Sequence, residues 1–432
     1  VEKVHAAGKE AMMFWGDNWI GAEPYGKYFS RIGLDAVVGS VSSGATVRAV
    51  SDIPNLKYKE IRLMPYFFPD TLNDDGQATE ALLKNWAVER RALLRRLVDR
   101  IGFGGYLRLA DRLPKFCGEV ERVCDEFRDI CEVLSSGTPY EPLKVCVLSY
   151  WGKEKSWMTN MICQDAPFQH TARYLGCLES LAGLPVDLHF VSFSEAKKGA
   201  LSSFDVVINC GGADTSFSGG ACWKDPELVA CVREYVAGGG GFIGIGEPSA
   251  VQYSGRFFQL ADLLGVEKER GFTGLFLKHN VQVNADHFIM RDAQGEVDDA
   301  GGVDLVFALP SAQILAARSS RFLPEGVNNC HVKLAVNEYG KGRSFYASGL
   351  AYNASNTRIL YRALLWCAHK EELLKRAFAE NRQVECHYYP AAKKYALVNQ
   401  TDSPQESVFY TIDGKLRKVE LSAGQLLWVS EA

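Results

Sequence analysis

Short apolar runs that stop at glycine- or proline-marked polar loops, each followed by a helix-like stretch, recur along most of this chain. That alternation restricts it to α/β architectures. Residues 11–15 form one such run, which stops at Gly16-Asp17. Residues 25–32 read as helix, 36–38 as a second buried strand leading into the 39–44 loop, and 63–68 as a third strand closed by Pro69-Asp70. An amphipathic helix is predicted from about 79 to 101 with its stop at Gly102, then a strand over 106–108. Pro114 suits the first turn of another helix. The pattern fits a (β/α) barrel or a doubly wound sheet, whose working residues sit just past the C-terminal ends of strands. Only three or four strand–helix units fit here. A half barrel cannot close its sheet, so further barrel sequence is expected upstream of Val1, and the chain by itself is expected to be inactive or unstable.

A breaker-rich linker, Ser135-Ser136-Gly137-Thr138-Pro139, precedes a second α/β pattern. Its predicted strands cover 145–150, 186–193, 206–210, 242–245 and 344–348, and its helices 168–181, 226–236 and 356–369. Gly246-Glu247-Pro248 is read as turning a strand toward a helix. The glycines 238–241 follow a helix and precede a strand, the reverse of a dinucleotide loop, so they are read as a helix stop and tight turn. From about 384 short alternating runs predict a small antiparallel β module. The expected domains are 1–138, 139–375 and 376–432.

Composition narrows the function classes. With 48 basic against 52 acidic residues and no long block of either, no nucleic-acid partner is expected. There is no apolar run of membrane-spanning length and no signal-peptide pattern, so no membrane partner is expected and a cytoplasmic enzyme is the default. The twelve cysteines contain no C-x-x-C pair. Cys117, Cys124 and Cys131 lie seven apart on a predicted helix, about 10 Å of rise per step, too far for a bridge or a shared metal. They are read as small buried hydrophobes in a reducing compartment. His170, His279, His287 and His331 form no ligand pattern, and no metal is expected. Arg90, Arg91, Arg95, Arg96 and Arg100 alternate around their predicted helix and are read as a solvated face.

Two clusters carry chemistry. Asp17 stands in Phe14-Trp15-Gly16-Asp17-Asn18-Trp19, a strand end crowded with aromatics. A carboxyl group beside indoles is desolvated, which raises its pKa and keeps a proton available, and flat rings such as Trp19 suit the apolar face of a sugar. The competing role is a helix cap. In Arg62-Leu63-Met64-Pro65-Tyr66-Phe67-Phe68-Pro69-Asp70 two prolines fix the backbone around three aromatics, and Arg62 has the fork geometry for an oxyanion. The competing role is a packed strand with Arg62 on a solvated face.

The run Gly16-Asp17-Asn18-Trp19-Ile20-Gly21-Ala22-Glu23-Pro24 and residues 63–70 resemble the galacto-N-biose/lacto-N-biose phosphorylase family. So do Gly33-Leu34-Asp35-Ala36-Val37-Val38-Gly39-Ser40, Asp99-Arg100-Ile101-Gly102-Phe103-Gly104-Gly105, Gly244-Ile245-Gly246-Glu247-Pro248, Gly340-Lys341-Gly342-Arg343 and Arg358-Ile359-Leu360-Tyr361-Arg362. The resemblance implies the C-terminal part of a deformed TIM (β/α) barrel, an amidotransferase-like α/β domain and a small antiparallel β domain. It implies inverting phosphorolysis of a β-galactoside to α-galactose 1-phosphate, with inorganic phosphate as co-substrate and no metal or organic cofactor. Asp17 matches the family's general acid, Tyr66 and Phe68 its pocket aromatics, and Arg62 a phosphate ligand. Glu247 is a further candidate for the sugar pocket, on a turn that lacks the cysteine of an active amidotransferase. A homodimer is a family-based expectation. Residues 161–174 depart from the family pattern, so the acceptor (N-acetylglucosamine, N-acetylgalactosamine or rhamnose) stays open. A non-catalytic sugar-binding or oligomerisation protein is the alternative of a different class.

Overall fold

The computed structural model describes residues 1–15, 33–40, 43–53, 55–64, 74–103, 107–149, 168–213, 215, 217–269, 283–293, 297–300, 302–319 and 330–431. They form a mixed α/β fold in two compact units. The first comprises Val1–Tyr140, Ala182–Pro185 and Lys375–Ala432, the second Glu141–Leu181 and Val186–Leu374.

In the first unit, β1 (Met12–Trp15), β2 (Ala36–Ser40), β3 (Tyr58–Met64) and β4 (Arg100–Phe103) make a four-stranded parallel sheet in that order. Ala36, Val37 and Val38 are all buried, so β2 is covered on both faces, which is why it reads as a continuous apolar run. The N-terminal ends of β1 to β3 are stitched by Asp35. Its carboxylate accepts from Lys57 Nζ (2.6 Å), Ala11 N–H (2.8 Å) and His5 Nε2 (2.7 Å). Lys57, then Ala11 and His5, hold that carboxyl well below the usual carboxylate range.

Several expected boundaries move. The third strand is Tyr58–Met64, beginning in polar residues because alternate positions face opposite sides of the sheet. The long helix is Asp75–Leu93, capped by the Asp74 side chain on Gln77 N–H (2.9 Å). Gly102, expected to stop it, instead lies in β4, paired with Arg62. Leu107 and Arg108 belong to the short helix Leu107–Ala110, not to a strand. Pro114 does open the helix Pro114–Ser135, whose buried stripe is Phe116, Val123, Phe127, Ile130 and Val133. Cys117 is exposed there, and Cys124 and Cys131 are half-buried, so the seven-residue spacing sets them beside the core stripe, not in it.

Arg90, Arg91 and Arg95 do not lie on a solvated face. They are 2%, 1% and 1% exposed, although Arg100 is exposed. Arg90 donates to Glu126 Oε1 (2.7 Å) and the Gly424 carbonyl (3.0 Å). Arg91 Nε donates to Glu385 Oε1 at 2.5 Å. Arg95 donates to the carbonyls of Gly183 (3.2 Å), Tyr140 (3.2 Å) and Cys386 (3.5 Å). Buried guanidinium groups are tolerated where carbonyls and carboxylates replace the lost water, as they do here for both Nη groups of Arg90, although its Nε has no partner among the described residues.

The second unit holds a seven-stranded sheet built from β5 (Leu143–Ser149), β6 (Val186–Ser192), β7 (Val206–Gly211) and β8 (Gly241–Gly246). After these come β9 (Ala250–Tyr253), β10 (Arg256–Phe258), β11 (Val266–Lys268) and β12 (Val306–Ala308), and then β13 (Gln313–Ser319), β14 (Cys330–Tyr339) and β15 (Gly342–Ala347). The sheet order is β13-β14-β15-β8-β7-β5-β6, parallel from β15 to β6 and antiparallel across β13, β14 and β15. β7 and β8 are buried throughout, as their apolar runs require. The turn after β8 leads to the antiparallel pair β9–β10, not to a helix. Ser249, at φ 52°, gives its N–H to Asn209 Oδ1 (2.7 Å) and redirects the chain.

The glycine pair around Lys341 has a packing role. Gly340 sits at φ 63° in the tight turn between β14 and β15. A methyl group on Gly342 would meet the carbonyl oxygens of Val236 and Gly240, where the helix Pro226–Ala237 runs into β8. Gly342→Ala is expected to cost about 1–3 kcal/mol of stability. A thermal unfolding midpoint equal to that of the parent would refute this.

In the first unit the C-terminal strands are β16 (Phe378–Ala379), β17 (Val384–Tyr389), β18 (Lys394–Asn399), β19 (Gln405–Tyr410), β20 (Leu416–Leu421) and β21 (Leu426–Ser430). They pair as two three-stranded antiparallel sheets, β16-β19-β20 and β17-β18-β21, around a core that includes Tyr388, Tyr395, Leu397 and Phe409.

Candidate active-site face

The parallel sheet of the first unit offers two different surfaces. Ile61 and Leu63 are fully buried, while Tyr58, Glu60 and Arg62 occupy the opposite face of β3 and are partly accessible. The helix Asp75–Leu93 supports the strand near its C-terminal end, where Asn85 Nδ2 donates to the Leu63 carbonyl (2.9 Å). At its start β3 is locked to the segment before β4, because Lys59 N–H donates to Asp99 Oδ2 (2.7 Å) and Asp99 N–H to the Lys59 carbonyl (2.9 Å). Arg62 is thereby presented near the C-terminal end of a braced strand, the end at which α/β enzymes assemble their sites.

Arg62 is half-buried, and its Nε lies 3.9 Å from Glu60 Oε1. Cross-strand, Glu60 pairs with Arg100 and Arg62 with Gly102. The Arg100 guanidinium lies over the Tyr58 ring, 3.8 Å from its centroid. Glu60 escaped the sequence reading. Its signal was the period of two, which puts it beside Arg62.

Glu247 belongs to the second unit, past the end of β8, and is 8% exposed. Its Oε2 accepts from Ala213 N–H (2.7 Å), its Oε1 from Lys268 Nζ, and its own N–H donates to the Gly211 carbonyl (2.9 Å). These contacts make it a tie between the ends of β7, β8 and β11. Asp17, Trp19, Tyr66 and Phe68 lie outside the described residues.

Among the described residues no group of three or more His, Cys, Asp or Glu side chains is placed to hold a metal ion. No helix among them is long and apolar enough to cross a membrane.

Three family models match the chain in succession. They are the lacto-N-biose phosphorylase N-terminal TIM barrel domain over residues 1–142, the central domain over 144–372 and the C-terminal domain over 378–429. The 1,3-beta-galactosyl-N-acetylhexosamine phosphorylase Cphy3030 of Lachnoclostridium phytofermentans is 45% identical over 430 residues, covering 99% of this chain and 58% of its own length. The Bifidobacterium longum 1,3-beta-galactosyl-N-acetylhexosamine phosphorylase is 40% identical over 451 residues (98% and 60%). D-galactosyl-beta-1->4-L-rhamnose phosphorylase of Lachnoclostridium phytofermentans is 31% identical over 437 residues (98% and 57%). The chain thus spans about three fifths of the length of the curated relatives it matches. With the three domain models in unbroken order along it, the chain belongs to the lacto-N-biose phosphorylase family.

Proposed function

We propose that the protein phosphorolyses β-galactosyl-(1,3)-N-acetylhexosamines with inversion, yielding α-galactose 1-phosphate and the free N-acetylhexosamine. The observation that carries this is the uninterrupted succession of the three phosphorylase domain models, 1–142, 144–372 and 378–429. The N-acetylhexosamine acceptor is favoured over rhamnose because the relatives named for it are 40–45% identical and the rhamnose enzyme 31%. In this reading residues 1–138 are part of a deformed TIM-type barrel, 139–375 an amidotransferase-like domain and 376–432 a C-terminal β domain.

A phosphate oxygen attacks C1 of galactose as the glycosidic C1–O bond breaks, and the Asp17 proton passes to the departing oxygen. An inverting hydrolase needs a second carboxylate to activate water. Phosphate is already anionic, so a cation that holds it in line replaces that base, and Arg62 is assigned this role. Tyr66, Phe68 and Trp19 are assigned to the sugar, with Glu247 as a further candidate for binding it.

The test is the reverse reaction. The intact protein, given α-galactose 1-phosphate and N-acetylglucosamine or N-acetylgalactosamine, is expected to form disaccharide and release one inorganic phosphate per bond made. Release of galactose to water, with no dependence on phosphate in the forward direction, would overturn the reading. Inorganic phosphate is the co-substrate and no metal takes part, so dialysis against a chelator is expected to leave the rate unchanged. A loss restored by a divalent cation would refute that part.

A further inference from the structure

Alternate residues of a strand share a face, so Glu60 and Arg62 stand side by side on β3. Their side chains are 16% and 34% exposed, with Glu60 Oε1 3.9 Å from Arg62 Nε. Directly across from Arg62 in β4 is Gly102. A methyl group at Gly102 would lie 3.0 Å from Glu60 Oε1 and 3.6 Å from Arg62 Cγ. Bare backbone at this point is what lets the carboxylate and the arginine stem share one notch. The other cation near Glu60 by strand pairing, Arg100, is drawn over the Tyr58 ring.

The edge of the guanidinium that Glu60 faces matters. An end-on bidentate grip on phosphate uses the two Nη donors, whereas Glu60 faces Nε. The two anions therefore address different edges of one planar group. A long arginine samples many rotamers, and a carboxylate held in a half-buried notch narrows them before phosphate arrives.

We propose that Glu60 is a positioning residue that sets the Arg62 guanidinium for inorganic phosphate, with Gly102 supplying the room. This rests on the reading of Arg62 as a phosphate ligand. The test compares Glu60→Gln, Gly102→Ala and Arg62→Ala in the intact protein, measuring KM for phosphate, KM for disaccharide and the thermal midpoint of each. Glu60→Gln is expected to raise KM for phosphate roughly fivefold, with kcat restored at high phosphate and KM for disaccharide unchanged. Gly102→Ala, which displaces the carboxylate, shifts the same constant in the same direction. Arg62→Ala is expected to raise it by about a hundredfold or more. If Arg62→Ala leaves KM for phosphate unchanged, the ligand assignment falls and this proposal with it. If Arg62→Ala raises it but Glu60→Gln does not, or Glu60→Gln moves both KM values alike or only the midpoint, the positioning role falls and the ligand assignment stands.

Discussion

Asp17→Asn is expected to lower the rate on the disaccharide by roughly 10²–10⁴-fold, the contribution typical of a positioned general acid. The amide keeps the size of the carboxyl group and its capacity to accept a hydrogen bond, but it has no acidic proton to give to the departing hexose. The defect should depend on the leaving group. An aryl β-galactoside that departs readily as an anion needs little protonation, so the variant should retain far more activity on it than on a sugar acceptor. A purely structural role for Asp17 would depress both substrates equally. Equal losses, or near-normal turnover of the disaccharide, would remove Asp17 as the acid.

Arg91→Met is expected to destabilise the protein by about 3–5 kcal/mol, the cost of leaving one partner of a buried ion pair without the other. Glu385 stands on β17 in the C-terminal strands of the first unit, and its carboxylate accepts from Arg91 Nε at 2.5 Å. Gln400 Nε2 is 3.4 Å from its second oxygen, and so is His387 Nε2. Gly183 is the floor of this cluster. A methyl there would lie 2.7 Å from Glu385 Oε2, 2.8 Å from Oε1 and 2.9 Å from Arg91 Nη2. The double variant Arg91→Met/Glu385→Leu should recover most of the loss, because it removes both charges from the interior. A single variant as stable as the parent would show that water reaches Glu385.

The same cluster makes the protein acid-labile. Burial would raise the Glu385 carboxyl, but Arg91 and His387 outweigh it and hold the group well below the usual carboxylate range. His387 is fully buried, and burial, with the charges of Arg95 and Arg91 added and Glu385 opposing, lowers its pKa from 6.5 to about 4. Between those two values the unfolded chain binds the proton that the folded one refuses, so stability falls as pH drops through that window. For His387 the loss from pH 7 to pH 5 is about 2 kcal/mol. Glu385, depressed in the fold, adds a loss below its unfolded value near 4.5. His387→Gln should flatten the slope between pH 5 and 7. An unchanged slope would place the acid sensitivity elsewhere.

Much of the secondary structure was legible along the chain, for a local reason. β2, β7 and β8 are buried on both faces and announce themselves as largely apolar runs, broken in β7 by the buried Asn209, while the stripe of the helix Pro114–Ser135 shows the helical period. Boundaries slipped where local and distant forces compete. Gly102 looks like a helix stop, yet its place in β4 is set by pairing with Arg62 forty residues earlier. Arg62 carries a fork suited to an anion, whereas Glu60, the residue beside it in space, is marked along the chain only by its two-residue separation from Arg62.

What the sequence by itself determined is the order of strands and helices and the motifs that mark a phosphorylase, because periodicity and short runs are properties of neighbours in the chain. Only the tertiary structure decided the fate of the charges. Arg90, Arg91 and Arg95 are buried because carbonyls and carboxylates from residues 126, 140, 183, 385, 386 and 424 converge on their donors. A guanidinium enters the interior when distant acceptors replace its water, and no local pattern records where those acceptors will be.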